Sequence, residues 1–136
     1  MDKGSAIVSI AGPISNFILA ILFAILFHAL SINGVFTGGE EWQWMLRAII
    51  SSCVFVNIGI GIFNLIPIPP LDGSKILMMF LPYQGKQWFY NNERYLLIGF
   101  ILLWVTGVLG RIIMPVILAI ASGLDWVVVN LFGLFL

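Results

Sequence analysis

The chain has 136 residues, of which 61% are hydrophobic and only 9% charged. A typical soluble domain is about 45–50% apolar and about 25% charged; here too few polar residues exist to cover a water-facing surface, and disorder, which needs low hydrophobicity and high charge, is excluded as well. Six basic residues balance six acidic ones, which leaves no basic stripe for nucleic acid. One cysteine, Cys53, excludes an internal disulfide framework, and one histidine, His28, excludes a two-histidine metal site built from this chain alone. The expected fold class is all-α: a polytopic transmembrane helix bundle of three or more spans, formed as a single membrane domain over residues 1–136.

In chain order, Met1–Ser5 is short and polar and lacks the cleavage pattern of a secretory signal. Residues 6–32 carry no Asp, Glu, Lys or Arg, and about 20 apolar residues suffice to cross a bilayer. They form the first expected span, with Gly12-Pro13 able to bend or begin its helix. A polar connection follows over 33–46, with Gly34, Gly38 and Gly39 as breakers, Glu40-Glu41 excluded from lipid, and Trp42 and Trp44 suited to an interfacial belt. Residues 48–66 form the second span and contain Asn57 and Asn64.

Pro67-Ile68-Pro69-Pro70-Leu71-Asp72-Gly73 comes next, and three prolines in four positions rule out a helix interior. This segment is expected to be unwound and extended over 67–73. A short helix is expected from Ser74 to Leu81, then a polar and aromatic connection from Pro82 to Arg94. Residues 95–110 form the third apolar stretch, interrupted by Arg111. The tail, 112–136, is broken by Pro115, Gly123 and Asp125 and is compatible with a span, a re-entrant segment or an interfacial helix. Lys3, Lys75, Lys86 and Arg94 against the acidic 33–46 loop place Met1 and the proline-rich segment on the cytoplasmic side.

The strongest local signal is residues 64–73. An acid at the end of a membrane span is expensive and marks a functional site by default. Prolines leave backbone groups without helical partners, which is tolerated at membrane depth only against protein or a wet cavity. Gly73 allows a turn directly after the acid. The residues describe a rigid platform presenting the Asp72 carboxylate in a sheltered place, with an ordinary interfacial cap as the plainer reading of Asp72. Asn16 is expected to hydrogen-bond a neighbouring helix, such as the one carrying Asn64. Asn57, on the same helix face as Asn64, fits either a helix–helix hydrogen bond or a cavity role. His28 reads as a satisfied intramembrane polar group rather than a ligand. Arg111 reads as snorkelling or ending a span, and Glu93-Arg94 as an interfacial charge pair.

Asn64-Leu65-Ile66-Pro67-Ile68-Pro69-Pro70-Leu71-Asp72-Gly73 closely resembles the second signature of the site-2 protease family, the intramembrane zinc metalloproteases of peptidase family M50. Ala11-Gly12-Pro13-Ile14-Ser15-Asn16 resembles that family's Ala-Gly-Pro-x-x-Asn segment. Residues 90–95 are similar to the stretch before a late span in its small bacterial members. The ten-residue proline signature is specific, whereas Ala-Gly-Pro by itself is weak. The resemblance implies that Asp72 is a zinc ligand and that Asn64 contacts the substrate or transition state. It leaves Asn16, Asn57, Pro67, Pro69, Pro70 and Gly73 to line or shape the site. The implied cofactor is one zinc ion, the implied partners are membrane lipid and a transmembrane peptide substrate, and the implied location is a bacterial cell membrane.

The sequence departs from the family at the metal helix. The family takes its other two zinc ligands and its general base from His-Glu-x-x-His, and His28 is followed by Ala29-Leu30-Ser31-Ile32. In the family that helix precedes the Ala-Gly-Pro segment, so Met1 is expected to fall partway through the family's domain. The resemblance therefore implies either part of a zinc endopeptidase, inactive without the histidine helix, or a non-catalytic module that binds transmembrane segments. A small transporter subunit is the remaining alternative from the residues, although no two halves of the sequence look alike.

Overall fold

The computed structural model describes residues 3–134, with side chains from Val8 onward. Five helices follow one another: α1 (Lys3–Ile32), α2 (Glu41–Asn64), α3 (Asp72–Phe80), α4 (Tyr83–Val105) and α5 (Val108–Gly133). No strand occurs among the described residues, as expected of an apolar chain whose backbone must satisfy itself without water. Val8–Ile32, Glu41–Asn64 and Val108–Gly133 are long and apolar enough to cross a membrane.

The frame is the α1–α2 hairpin. Phe17 of α1 lies on Gly61 of α2, while Phe27, ten residues further along α1, lies beneath the Arg47 guanidinium at 5.8 Å. The two helices therefore run antiparallel. A Cβ on Gly61 would stand only 3.0–3.2 Å from the Phe17 ring, so the missing side chain sets how closely the backbones approach. Buried positions here are small or branched, with Ala20, Ala24, Ile50 and Ile58 almost fully covered. That is the expected pattern where lipid makes packing, rather than escape from water, the driving force between helices. Large apolar side chains such as Ile18, Leu22, Val56, Ile112 and Leu118 face outward.

Helix α5 lies against α1 and α2. The Ile117 side chain lies 3.4 Å from where a Gly59 Cβ would stand, and His28 Nε2 is hydrogen-bonded to Asp125 Oδ1 at 2.8 Å. Helix α4 is attached at the other end of α2 by aromatic contacts, Phe63 to Phe100 at 5.6 Å and to Trp104 at 5.8 Å.

Three expectations about boundaries are corrected. Of the two roles expected for Gly12-Pro13, bending the helix or beginning it, the second is excluded because Pro13 lies inside α1. The connection from Pro82 to Arg94 is helical, because Pro82 occupies the N-cap, where its missing N–H costs nothing. Residues 95–110 are not one helix: Gly107 adopts a left-handed φ of 72°, its N–H closes on the Trp104 carbonyl, and the chain turns into α5. Apolar residues run through this turn, so hydropathy carried no sign of it. The tail instead forms one continuous helix through Pro115, Gly123 and Asp125.

Gly61→Val should drive a branched side chain into Phe17 and lower stability by about 1–3 kcal/mol. Gly110→Ala, where a Cβ meets open space, should leave stability unchanged or raise it by up to about 1 kcal/mol. Thermal unfolding followed by circular dichroism in detergent compares the two.

Candidate functional site

The chain between α2 and α3 is folded by the prolines into a run of short turns. Leu65 N–H donates to the Ile62 carbonyl, Ile68 N–H to Ile66 at 2.8 Å, Leu71 N–H to Ile68 at 3.0 Å, and Ser74 N–H to Leu71 at 3.1 Å. The expected extended segment over 67–73 is thus corrected to tight turns over 65–71, and Asp72 and Gly73 already belong to α3. Three residues that cannot donate a backbone hydrogen bond forbid helix, but they do not forbid turns whose donors come from the residues between them. Pro69 is buried within this turn, whereas Pro67 and Pro70 are exposed.

Gly73 fixes how α3 sits. A Cβ there would overlap the Leu65 and Ile66 carbonyls, so the backbone of α3 packs directly on the backbone leaving α2. Gly73 and Ser74 are both buried, and the Ser74 hydroxyl donates to the Leu71 carbonyl at 2.7 Å. Asp72, in the first turn of α3, benefits from the positive end of the helix dipole. Its carboxylate points at α1: a Cβ on Gly12 would stand 3.4 Å from Asp72 Oδ2. Two sequence segments some sixty residues apart, Ala11–Asn16 and Asn64–Gly73, thereby meet at one carboxylate.

Asp72 Oδ1 is held by Lys75 Nζ at 3.0 Å, one helical turn on. The Asp72 side chain is about one-third exposed (32%), so this pair contributes roughly 0–1 kcal/mol. Its effect is to cover one of the two carboxylate oxygens. Lys75 also lines a cavity of about 430 Å³, together with Pro69, Pro70, Ser74, Tyr90 and Glu93 among others. The proline turn, α3 and the polar half of α4 thus share one hollow, walled in part by Lys75, the partner of Asp72.

The expected site residues divide into three groups. Asp72, Gly73 and Pro69, with Gly12, build the carboxylate's setting. Asn64 closes α2 at the edge of the same turn and is half-buried. Asn16 and Asn57 do not reach across to another helix. Asn16 Nδ2 donates to the Gly12 carbonyl at 3.2 Å, and Asn57 Nδ2 to the Cys53 carbonyl at 2.8 Å, so each is satisfied within its own helix. The interhelical bond expected of Asn16 is corrected accordingly, and of the two readings open for Asn57 the helix–helix bond is not formed. Glu93 and Arg94 form no ion pair; the described pairs are Lys75–Asp72 and His28–Asp125. Sequence reading passed over Lys75, whose three-residue spacing from Asp72 becomes a helical pair only once α3 starts at Asp72. It also passed over Asp125 as the partner of His28.

Asp72 is a donor of the right class for a hard or borderline cation, and Gly12 leaves space at its Oδ2. No group of three or more His, Cys, Asp or Glu residues that could hold a metal ion occurs among the described residues. These residues supply one metal donor and not a complete shell.

The fold and this turn define a helical membrane protein that sets a carboxylate and a proline turn at one end of a two-helix frame. The peptidase family M50 model matches residues 2–106, and the chain belongs to that family, the site-2 proteases, which are zinc metallopeptidases. The Bacillus subtilis protein named "Putative zinc metalloprotease YwhC" is 33% identical over 116 residues, covering 82% of this chain and 50% of its own length. A Fusobacterium nucleatum protein of the same descriptive name, FN1322, is 40% identical over 72 residues, 48% of this chain and 21% of its own. The chain therefore spans about half the length of the first of these relatives and less of the second. No solved structure is significantly similar to the chain.

Gly73→Ala should force α3 off the Leu65–Ile66 backbone and cost about 1–3 kcal/mol. Thermal unfolding in detergent measures the loss, and an unchanged midpoint would show that the two backbones are not in contact.

Proposed function

We propose that this chain is part of an intramembrane zinc endopeptidase that cleaves membrane-embedded or juxtamembrane peptides, with Asp72 as the carboxylate ligand of the metal. The observation that carries the reading is the convergence of Gly12 and Asp72. Both motifs that resemble the family's signatures meet at that carboxylate, and Gly73 has no room for a side chain. When bound, zinc supplies a Lewis acid and a water activated near neutral pH for attack on a peptide carbonyl.

The chain's own residues have the following roles in this reading. Asp72 contributes one oxygen donor, and Lys75 stands on that carboxylate as its counter-charge. Asn64 supports the substrate or its transition state from the end of α2. Pro67, Pro69 and Pro70 make a stiff turn along which an extended peptide lies, because a helical peptide hides its scissile carbonyls. Asn16 and Asn57 keep the backbone of α1 and α2 satisfied beside the site. The cavity between the proline turn and α4 receives residues next to the cleaved bond and admits the water that lipid excludes. The protein sits in a bacterial cell membrane with the proline turn toward the cytoplasm.

The sequence contains one histidine and no His-Glu-x-x-His, so the remaining ligands and the general base come from outside these 136 residues. The chain alone is expected not to hydrolyse peptides. A non-catalytic module that binds transmembrane segments is the second reading, which the lack of a His-Glu-x-x-His motif in this sequence favours.

The test uses the protein encoded by the complete gene, purified in detergent. It should bind about one zinc per chain, as a single catalytic site requires, and cleave a membrane-embedded peptide. Asp72→Ala should lose both. Asn64→Ala should keep the zinc and lose on the order of 10²–10³-fold in turnover, the usual cost of removing a transition-state donor. Pro69→Leu should abolish cleavage by refolding the turn. A folded, zinc-free preparation without cleavage assigns the binding module instead.

A further inference from the structure

A second polar place lies at the other end of the hairpin and takes no part in the proposed chemistry. Between α1, α2 and α5 is a cavity of about 300 Å³, lined by His28, Ser51, Ser122 and Asp125 with Phe27 and Phe55 among its apolar walls. His28 Nε2 occupies Asp125 Oδ1 at 2.8 Å. The other oxygen, Oδ2, has no hydrogen-bond partner among the described residues. The Asp125 side chain is 65% exposed while His28 is 15% exposed, so the carboxylate faces outward from a helix long and apolar enough to span a membrane. An ionised group there is costly unless it is paired.

The hydrogen-bonding inventory of the cavity is one-sided. The Ser51 hydroxyl donates to the Ala48 carbonyl at 3.1 Å, and the Ser122 hydroxyl to the Leu118 carbonyl at 2.8 Å. With their protons directed into their own helices, both oxygens offer the cavity lone pairs only. Oδ2 offers lone pairs and negative charge, beside the apolar walls of Phe27 and Phe55. The side-chain oxygens of Ser51, Ser122 and Asp125 that line the cavity therefore all offer acceptors. The site is complementary to a cation that carries several N–H donors.

We propose that this cavity binds the primary ammonium of an aminophospholipid headgroup, with Asp125 Oδ2 as the principal acceptor. Lipid is the source because the cavity opens between three helices suited to spanning a membrane. His28 also lies four residues, about 6 Å, from the end of α1, close to headgroup depth. A quaternary ammonium has the charge but no donors, and an anionic headgroup is repelled, so primary amines are selected over both.

The test uses the full chain in detergent. Native mass spectrometry compares its retention of phosphatidylethanolamine, phosphatidylcholine and phosphatidylglycerol bearing identical acyl chains. The phosphatidylethanolamine should be retained at least about tenfold better than the other two, a difference on the scale of one charge-assisted hydrogen bond. Asp125→Asn keeps an acceptor for His28 and should level the three; Asp125→Glu should keep the preference. Stepwise N-methylation of the headgroup removes donors without touching the protein, and retention should fall at each step even if Asp125→Asn does not fold. Equal retention of the three lipids, a preference that survives Asp125→Asn, or indifference to methylation overturns the proposal. Complete displacement of the lipid by an equal concentration of free ethanolamine also overturns it, because a soluble amine is then the ligand.

Discussion

Asp72 stands where it does because residue 73 has no side chain. The α3 backbone lies on the carbonyls of Leu65 and Ile66 with no space between them for a Cβ. That contact folds the chain back on itself within eight residues of the end of α2 and aims the next carboxylate toward α1. The prolines hold the intervening turn, since none of the three can donate a hydrogen bond that would extend α2 or begin α3 early. Gly12 faces the same carboxylate from the other side, its missing Cβ position lying at contact distance, 3.4 Å, from Asp72 Oδ2. The candidate metal donor is thus positioned by backbone contacts, which are stiffer than contacts between side chains.

The same economy appears in the frame. Gly61 lets the Phe17 ring rest on α2 and so sets the spacing of α1 and α2, while Ile117 of α5 packs at contact distance over Gly59. In lipid, apolar side chains gain nothing by leaving one apolar surface for another, and close backbone approach is what holds helices together. Polar groups inside the bundle follow the matching rule that each must find a partner. Asn16 and Asn57 find theirs one turn back in their own helices. His28 and Asp125 find each other across helices.

These choices leave the hairpin with chemistry at its two ends. Gly12, beside Asp72, and His28, beside Asp125, are sixteen residues apart on α1, about 24 Å at helical rise. From Phe17 to Phe27 the stretch between them holds only alanine, phenylalanine and aliphatic residues. One end couples a carboxylate to a proline turn and a cavity shared with α4. The other couples a carboxylate to a histidine and a cavity shared with α5. Lys75 covers an oxygen of the first and His28 an oxygen of the second.

Composition pointed to a membrane protein, because so few charges cannot cover a soluble surface, and charge-free runs long enough to cross a bilayer pointed to helices. The segments 11–16 and 64–73 singled out Asp72, Asn64 and the prolines, since an acid beside prolines at the end of a span is legible in one dimension. The structure decided what depends on directions in space. Gly107 broke the apolar stretch 95–110 by a left-handed φ that hydropathy does not register. The tail became one helix despite Pro115, Gly123 and Asp125. Asn16 and Asn57 turned inward to their own carbonyls, a choice between equally good acceptors that spacing cannot make. The meeting of Gly12 with Asp72, and of His28 with Asp125 ninety-seven residues away, belongs to tertiary packing. A sequence names groups that need partners, but which partner each one meets depends on how closely the helices approach.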